Sequence, residues 1–153
     1  MSRDDSRLRS IRSGHEAEKG VSRARMEDYL EVIDELVRQK GYATTLDISR
    51  YMEVSAPSVT RMLQRLDDAG FLDYEKYRGI NLTAKGICVA DSIRQRHGTL
   101  LEFLDILGIT GPAADQDVEG IEHHLNPDTV VQLRKFVDFL RSNPDVIEEF
   151  KRL

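Results

Sequence analysis

The sequence lacks the features of a membrane protein or a secreted protein. It has no run of about 18 apolar residues, which a transmembrane helix needs, and no apolar segment near its beginning as in a signal peptide. Its single cysteine, Cys88, cannot form an internal disulfide, which fits a reducing environment. We therefore predict a cytoplasmic protein with no membrane partner.

Repeats and low-complexity segments are also missing, apart from a polar stretch at the N-terminus. The 153 residues, of which 40% are hydrophobic, suffice for one domain with a substantial core, or for a small domain with an appendage.

An excess of positive charge is lacking too. The net charge of −5 argues against a simple basic nucleic-acid binder, but the charge is unevenly distributed. Residues 1–25 carry seven Lys or Arg against four Asp or Glu, whereas residues 81–153 carry eight against twelve. Residues 1–24 show almost no apolar periodicity and predict a flexible basic arm, either without a role or adding phosphate contacts. The acidic body would repel DNA unless a bound cation offset its charge.

Helical spacing of apolar residues predicts a first helix over residues 25–39, which Gly41 ends. Thr44 begins a short second helix over residues 46–52, and Ser55 and Pro57 begin a third. Two short helices joined by a tight turn predict a helix-turn-helix; the alternative is an ordinary helical hairpin with a solvated outer face. The third helix has a buried stripe of Val59, Met62, Leu63 and Leu66, and its candidate DNA-binding residues are Ser55, Pro57, Ser58, Thr60, Arg61, Gln64 and Arg65.

A β-hairpin is predicted directly after this unit, because residues 71–77 alternate weakly, a turn follows at residues 78–79, and residues 80–82 return. A hairpin in this position is the wing of a winged helix. Lys76 and Arg78 lie at its predicted tip, where a wing can touch phosphates.

The second half of the chain predicts helices only. Thr83 caps a long helix over residues 84–107, whose apolar surface exceeds the needs of one partner and therefore predicts contact with a second subunit. Two Asn-Pro pairs, at residues 126–127 and 143–144, begin further helices. In the first of these we expect six buried side chains: Val130, Val131, Leu133, Phe136, Val137 and Leu140.

An acidic stretch over residues 117–124 is read as one helix, with Val118, Ile121 and Leu125 on its apolar face. Glu119, Glu122 and His123 then share another face. Two carboxylates and an imidazole suit a divalent cation, although such a run more often simply faces water.

Three other residues could join this acidic cluster. Asp28 and Glu31 lie three apart on the first helix, where first-turn acids also favour the helix dipole. His97 lies in the middle of the long helix, where an isolated histidine is usually a polar or half-buried residue.

Several stretches together resemble the diphtheria-toxin-repressor family of metal-dependent repressors, and its manganese-responsive branch in particular. The resemblance spans about residues 25–142, and its most specific motif is residues 117–125. The other matching stretches are residues 26–31, 40–43, 58–62, 74–79 and 82–86.

This resemblance implies a mostly α protein, with a winged helix-turn-helix DNA-binding domain at residues 25–83 and a helical metal-binding and dimerisation domain at residues 84–153. It further implies a homodimer that binds double-stranded, palindromic operator DNA and represses metal-uptake genes. The implied ligands of two Mn²⁺ ions per subunit are Asp28, Glu31, His97, Glu119, Glu122 and His123.

The iron-responsive branch of the family has a Met and a Cys among its ligands, where this chain has Asp28 and Glu122. Hard carboxylates in place of soft sulfur suit Mn²⁺, with Fe²⁺ or another divalent cation as the alternative. A metal-dependent hydrolase and a winged-helix regulator that answers a small organic ligand are alternatives of other classes. Because the sequence offers no substrate cleft signature, no Gly-rich phosphate loop and no further base, we do not expect an enzyme.

Overall fold

A computed structural model of the chain describes residues 23–75 and 79–153. It contains seven helices and a two-stranded sheet within these ranges, and it confirms the prediction of a mostly α fold with a wing. The chain divides into two compact units, residues 1–91 and residues 92–153. No helix of the described part is long and apolar enough to span a membrane.

In the described part of the first unit, helix α1 covers residues 23–40, so Arg23 and Ala24, which the sequence placed in the basic arm, are helical. The rest of the predicted arm lies outside the described residues. Helix α2 (Thr45–Tyr51) and helix α3 (Ala56–Asp68) follow. Their core consists mainly of the apolar side chains Tyr29, Leu30, Ile33, Ile48, Val59, Met62, Leu63, Leu66, Leu72 and Ile80, which confirms the predicted stripe of α3.

The turn between α2 and α3 is closed by local hydrogen bonds. The backbone N–H of Val54 donates to the carbonyl of Ser49 at 3.1 Å, and the Ser49 hydroxyl donates to the carbonyl of Val54 at 2.6 Å. Glu53 has a φ of 54°, the left-handed conformation that tight turns use. These contacts stabilise the tight turn that joins α2 to α3, as a helix-turn-helix requires.

The wing is an antiparallel pair of strands, β1 (Leu72–Glu75) and β2 (Gly79–Leu82). The register pairs Leu72 with Leu82 and Tyr74 with Ile80. This confirms the predicted hairpin, whose tip residues Lys76 and Arg78 lie outside the described ranges.

Helix α4 (Ala84–Ile106) leaves the wing through a tight junction. The hydroxyl of Thr83 accepts a hydrogen bond from the N–H of Gly86 at 3.1 Å, which confirms Thr83 as the cap. A Cβ atom at Gly86 would lie 1.9 Å from the carbonyl oxygen of Phe71. Only glycine allows the first turn of α4 to pack this closely.

The second unit contains the end of α4, helix α5 (Pro112–Ile121), a 3-10 turn (Glu122–His124), helix α6 (Pro127–Ser142) and helix α7 (Pro144–Phe150). One core cluster contains Leu100, Leu104, Ala114 and Val118, and another contains Ile106, Val137 and Leu140. The division between the units falls within α4, after Asp91, whereas the sequence-based division lies at the beginning of that helix.

Two expectations about burial in the second unit are wrong. Ile121, placed on the apolar face of the acidic stretch, is 42% exposed because α5 ends there and the chain changes to a 3-10 turn. On α6, Val131 and Phe136 are about half exposed, and only Val137 and Leu140 of the six expected residues are buried. The apolar pattern of α6 is therefore broader than the surface that its own unit covers.

Candidate functional site: a metal centre and a nucleic-acid interface

Four of the six predicted metal ligands come together in the second unit. His97 lies on α4, Glu119 on α5, and Glu122 and His123 on the 3-10 turn. The turn begins where the N–H of Glu122 still donates to the carbonyl of Val118. From that point the side chains no longer follow α-helical spacing, so the predicted single helix over residues 117–124 is wrong at its end.

Glu122 is the centre of this arrangement. Its side chain has no exposed surface, unlike the solvated acid that a charged helix face would provide. One carboxylate oxygen, Oε2, lies 2.9 Å from Nδ1 of His97. The other, Oε1, lies 3.6 Å from Nε2 of His123, which is too far for a hydrogen bond. Within the described residues, Oε1 has no hydrogen-bond partner.

The pKa of Glu122 reflects this environment. Burial raises the pKa above its ordinary value, since the charged form loses its hydration. The hydrogen bond from His97 and the nearby imidazoles lower it in part, and the negative charge of Glu119 raises it further. A fully buried carboxyl group with one unsatisfied oxygen is costly to keep in its charged form.

The donor geometry fits a divalent cation. His97, Glu119 and Glu122 each offer a ligand atom, and these three atoms lie within 4.8 Å of one another. A ligand atom of Glu119 is equally close to one of His123. Metal–ligand distances of about 2.0–2.6 Å allow two ligand atoms of one ion to lie up to about 5 Å apart. Carboxylate oxygens and imidazole nitrogens are suitable ligands for Mn²⁺, Fe²⁺ or Zn²⁺.

The remaining two predicted ligands, Asp28 and Glu31, belong to the first unit. They lie one turn apart on α1 and both are half-buried. The same helix carries two buried acids that the sequence did not single out: Glu27 pairs with Arg23 at 2.9 Å, and Asp34 pairs with Arg38 at 2.8 Å. Their positions at i and i+4 were the available signal for these ion pairs.

The predicted DNA-reading surface is the outer side of α3. Ser55 caps the helix by accepting from the N–H of Ser58, and Pro57 lies in the first turn, as predicted. The polar side chains Thr60, Arg61, Gln64 and Arg65 are exposed and Ser58 is half-buried. Asp68, which was not predicted as a site residue, accepts a hydrogen bond from Gln64 at 3.1 Å.

Comparison with known proteins agrees with both halves of this description. The family described as iron dependent repressor, N-terminal DNA binding domain, matches residues 23–80. The family described as iron dependent repressor, metal binding and dimerisation domain, matches residues 83–151. Each match falls on the part of the chain where the corresponding surface or cluster lies.

Individual relatives are similar over most of the chain. The HTH-type transcriptional regulator MntR of Listeria welshimeri is 42% identical over 128 residues, which are 84% of this chain and 90% of the relative. MntR of Oceanobacillus iheyensis is 40% identical over 128 residues, 84% of this chain and 87% of the relative. These relatives are named as transcriptional regulators, which points to a regulatory and not an enzymatic role.

Solved structures show the same fold. The manganese regulator SloR superimposes with a TM-score of 0.65 at 31% identity, and the metal-dependent transcriptional regulator MtsR with a TM-score of 0.69 at 30% identity. Each comparison covers 74% of this chain and 54% of the solved chain, so this chain spans about half the length of those proteins. Together with the two family matches, these similarities show that the chain belongs to the iron-dependent, or diphtheria-toxin-repressor, family of metal-dependent transcriptional repressors.

Proposed function

We propose that this protein is a manganese-responsive repressor of metal-uptake genes, in which divalent cations control the binding of a homodimer to DNA. The observation that carries the proposal is the buried carboxylate of Glu122, which has one unsatisfied oxygen beside the donor atoms of His97 and Glu119. A buried acid in this state is costly for the protein alone, and a cation is the natural partner for it.

The ligand chemistry and the relatives both favour Mn²⁺. The proposed ligand set contains four carboxylates and two imidazoles but no sulfur, which suits a hard or borderline cation. The relatives named as manganese regulators are consistent with this choice. Softness alone separates Mn²⁺ poorly from Fe²⁺, so iron or another divalent cation remains the alternative effector. The full proposed set for two ions per subunit is Asp28, Glu31, His97, Glu119, Glu122 and His123.

In the proposed mechanism, the protein orients its carboxylate ligands before the ion binds. His97 orients Glu122 through Oε2 and leaves Oε1 turned toward His123. Asp28 and Glu31, on α1 of the first unit, are the further ligands in this proposal. When bound, a divalent cation supplies positive charge that offsets the carboxylates and weakens their repulsion of DNA phosphate. Ion binding switches the protein only to the extent that the DNA-binding state holds the ion more tightly.

The DNA contacts are proposed for α3 and the wing. The two α3 helices of a homodimer enter successive major grooves of a palindromic operator, about 34 Å apart. Lys76 and Arg78 of the wing contribute phosphate contacts. The α3 contacts come from Ser55, Pro57, Ser58, Thr60, Arg61, Gln64 and Arg65.

A gel-shift titration tests the proposal, with the DNA upstream of the gene that encodes this protein as the probe. We expect wild-type protein to bind with much higher affinity in MnCl₂ than in chelator. Glu122→Gln keeps the size of the side chain but removes its charge, and it should lose the response to Mn²⁺. A panel of Fe²⁺, Zn²⁺ and Mg²⁺ then ranks the effectors.

The matched control is Asp117→Asn, which neutralises an exposed acid on α5 outside the proposed ligand set. This variant should respond to Mn²⁺ as the wild type does. Wild-type DNA binding that is the same with cations and with chelator would contradict metal control. A Glu122→Gln variant that responds to Mn²⁺ as the wild type does would contradict the assigned site.

A further inference from the structure

The side of α3 that faces away from the core carries two side chains that are hydrogen-bonded to each other. Spacing of i, i+3, i+4, i+7 and i+11 places five residues on this side, opposite the buried stripe. They are Pro57, Thr60, Arg61, Gln64 and Asp68, and all five are exposed. Nε2 of Gln64 donates a hydrogen bond to Oδ1 of Asp68 at 3.1 Å, one turn along the helix.

This hydrogen bond determines which way the carboxamide of Gln64 faces. An ionised carboxylate only accepts hydrogen bonds, so Asp68 requires the NH₂ group of Gln64, and not its carbonyl oxygen, on its side. A carboxamide has two N–H donors and one acceptor oxygen. After one N–H is given to Asp68, the carboxamide of Gln64 still has one donor and its acceptor oxygen.

A neighbouring donor and acceptor match the major-groove edge of adenine. Adenine presents N7, which accepts, and the N6 amino group, which donates, whereas guanine presents two acceptors. We propose that Gln64 reads an adenine in the operator through this bidentate pair, and that Asp68 is the positioning residue that fixes its orientation. This inference rests on the proposed function, since it assumes that α3 enters the major groove.

The neighbouring side chains are engaged differently. Arg61 donates from its guanidinium to the Ser58 hydroxyl at 3.2 Å, and a guanidinium offers donors only, which suit guanine or phosphate. Thr60 donates its hydroxyl to the carbonyl of Ala56 at 3.1 Å. Among the five residues on this side of α3, Gln64 therefore has the donor–acceptor pair that adenine requires. The positioning role also gives a physical reason for an acidic residue, Asp68, on a surface that meets phosphate.

The test begins with the whole protein in MnCl₂ and a library of randomised DNA duplexes, from which the bound duplexes are selected. In the selected duplex, each adenine is replaced in turn by 7-deazaadenine, which lacks the N7 acceptor. We expect one adenine per half-site at which this replacement weakens wild-type binding between about fivefold and about 150-fold. Gln64→Ala should bind both duplexes equally.

The role of Asp68 has its own readout, the ratio of affinities for the adenine and 7-deazaadenine duplexes. Asp68→Ala should bring this ratio close to one although Gln64 is still present. Asp68→Asn, whose carboxamide both donates and accepts and therefore permits either orientation of Gln64, should give a ratio between those of the wild type and Asp68→Ala. Asp67→Ala is the matched control, because it removes the neighbouring carboxylate of the same helix and should leave the ratio unchanged.

Three results would overturn these assignments, each at a different level. Wild-type binding that is insensitive to every 7-deazaadenine contradicts adenine reading by Gln64. If Asp68→Ala tightens binding to all duplexes equally and keeps the wild-type ratio, Asp68 acts only through its charge and not by positioning Gln64. A library from which no duplex is retained with any divalent cation contradicts the proposed function itself.

Discussion

Nδ1 of His97 lies 2.9 Å from Oε2 of Glu122, while the second oxygen of the same carboxylate lies 3.6 Å from Nε2 of His123. Glu122 thus lies between two imidazoles, one from α4 and one from the 3-10 turn, with no exposed surface of its own. This relationship holds the carboxylate in a defined orientation, and it places the least solvated charge of the second unit among candidate metal ligands.

Removing the charge of Glu122 should separate metal binding from folding. In chelator, Glu122→Gln should melt at or above the wild-type temperature, because burying a neutral amide costs less than burying a carboxylate. Mn²⁺ at 100 times its Kd stabilises a folded protein by about 2.7 kcal/mol, which for this size corresponds to a rise of about 5–10 °C in Tm. The wild type should show this rise and Glu122→Gln should not.

Thermal unfolding with and without MnCl₂, followed by circular dichroism, measures both effects. Asp117→Asn serves again as the control and should keep the full rise in Tm. A Glu122→Gln variant that is stabilised by Mn²⁺ as strongly as the wild type would remove Glu122 from the ligand set.

Gly86 and Gly98 should respond in opposite ways to alanine, although both lie within α4. At Gly86 the new Cβ would lie 1.9 Å from the carbonyl oxygen of Phe71, so the wing and the helix must separate. We expect Gly86→Ala to lower the free energy of unfolding by about 1–3 kcal/mol, as overpacking of a well-packed site does. At Gly98, no atom of the described residues lies within 4 Å of the new Cβ, apart from the chain neighbours and the backbone of the same helix. Gly98→Ala should therefore raise the free energy of unfolding by about 0.5–1 kcal/mol through helix propensity.

Urea unfolding of the metal-free protein measures these two free energies. Equal effects of the two substitutions would show that the wing and α4 tolerate separation, and that the close packing at Phe71 contributes little to the stability of the first unit.

Glu102 links α4 to α6 through two arginines. Arg134 donates to both carboxylate oxygens, at 3.0 and 3.1 Å, and Arg141 donates to Oε2 at 2.9 Å. Arg134 is the main cause of the lowered pKa of Glu102. Because these side chains are about a third to a half exposed, solvent screens them, and we expect a coupling of about 0.2–1 kcal/mol between Glu102 and Arg134.

A double-mutant cycle with Glu102→Gln and Arg134→Gln, measured by urea unfolding, gives this coupling energy, which should fall as the salt concentration rises. The lowered pKa also predicts how the contribution of Glu102 to stability changes with pH. The contribution of Glu102 is complete above its ordinary value of 4.5 and is lost as the pH falls through the lower value of the folded state. A coupling that grows in acid would contradict this account.

The contribution of Asp47 to stability should depend on pH, whereas that of Thr44 should be largely independent of pH. Asp47 forms a capping box with Thr44 at the start of α2 and pairs with Lys40. The hydrogen bond to Lys40 is the main cause of the lowered pKa of Asp47, followed by that to Thr44. Stability from Asp47 is therefore complete above 3.8, its ordinary value, and is lost as the pH falls through the lower folded value.

Unfolding of Asp47→Ala and Thr44→Ala at neutral and acid pH tests this difference. Thr44→Ala should cost about 1 kcal/mol at neutral pH, as the loss of a helix cap does, and most of that cost should persist in acid. The cost of Asp47→Ala should shrink in acid, and a constant cost would mean that the carboxylate charge of Asp47 contributes nothing.

The sequence predicted the elements of the first unit well, because their signals are local. The stripe of Val59, Met62, Leu63 and Leu66 follows helical spacing, and Ser55 and Thr83 are caps recognisable from residue type alone. The hairpin was predicted from alternation and a turn. In each case, a few neighbouring residues determine the local structure.

Burial in the second unit could not be predicted in the same way. Periodicity placed Ile121 inside and left Glu122 on a charged face, whereas the structure exposes the first and buries the second. The difference arises where α5 changes to a 3-10 turn, a change of backbone that residue spacing does not reveal. The half-exposed Phe136 on α6 shows the same limit, because an apolar residue does not specify which partner covers it.

The 3-10 turn that carries Glu122 also has a kinetic consequence. A side chain without accessible surface exchanges nothing with the solvent until the structure around it opens. The frequency of that opening, and not diffusion through water, then limits how quickly the chemical state of Glu122 follows a change in the surrounding solution.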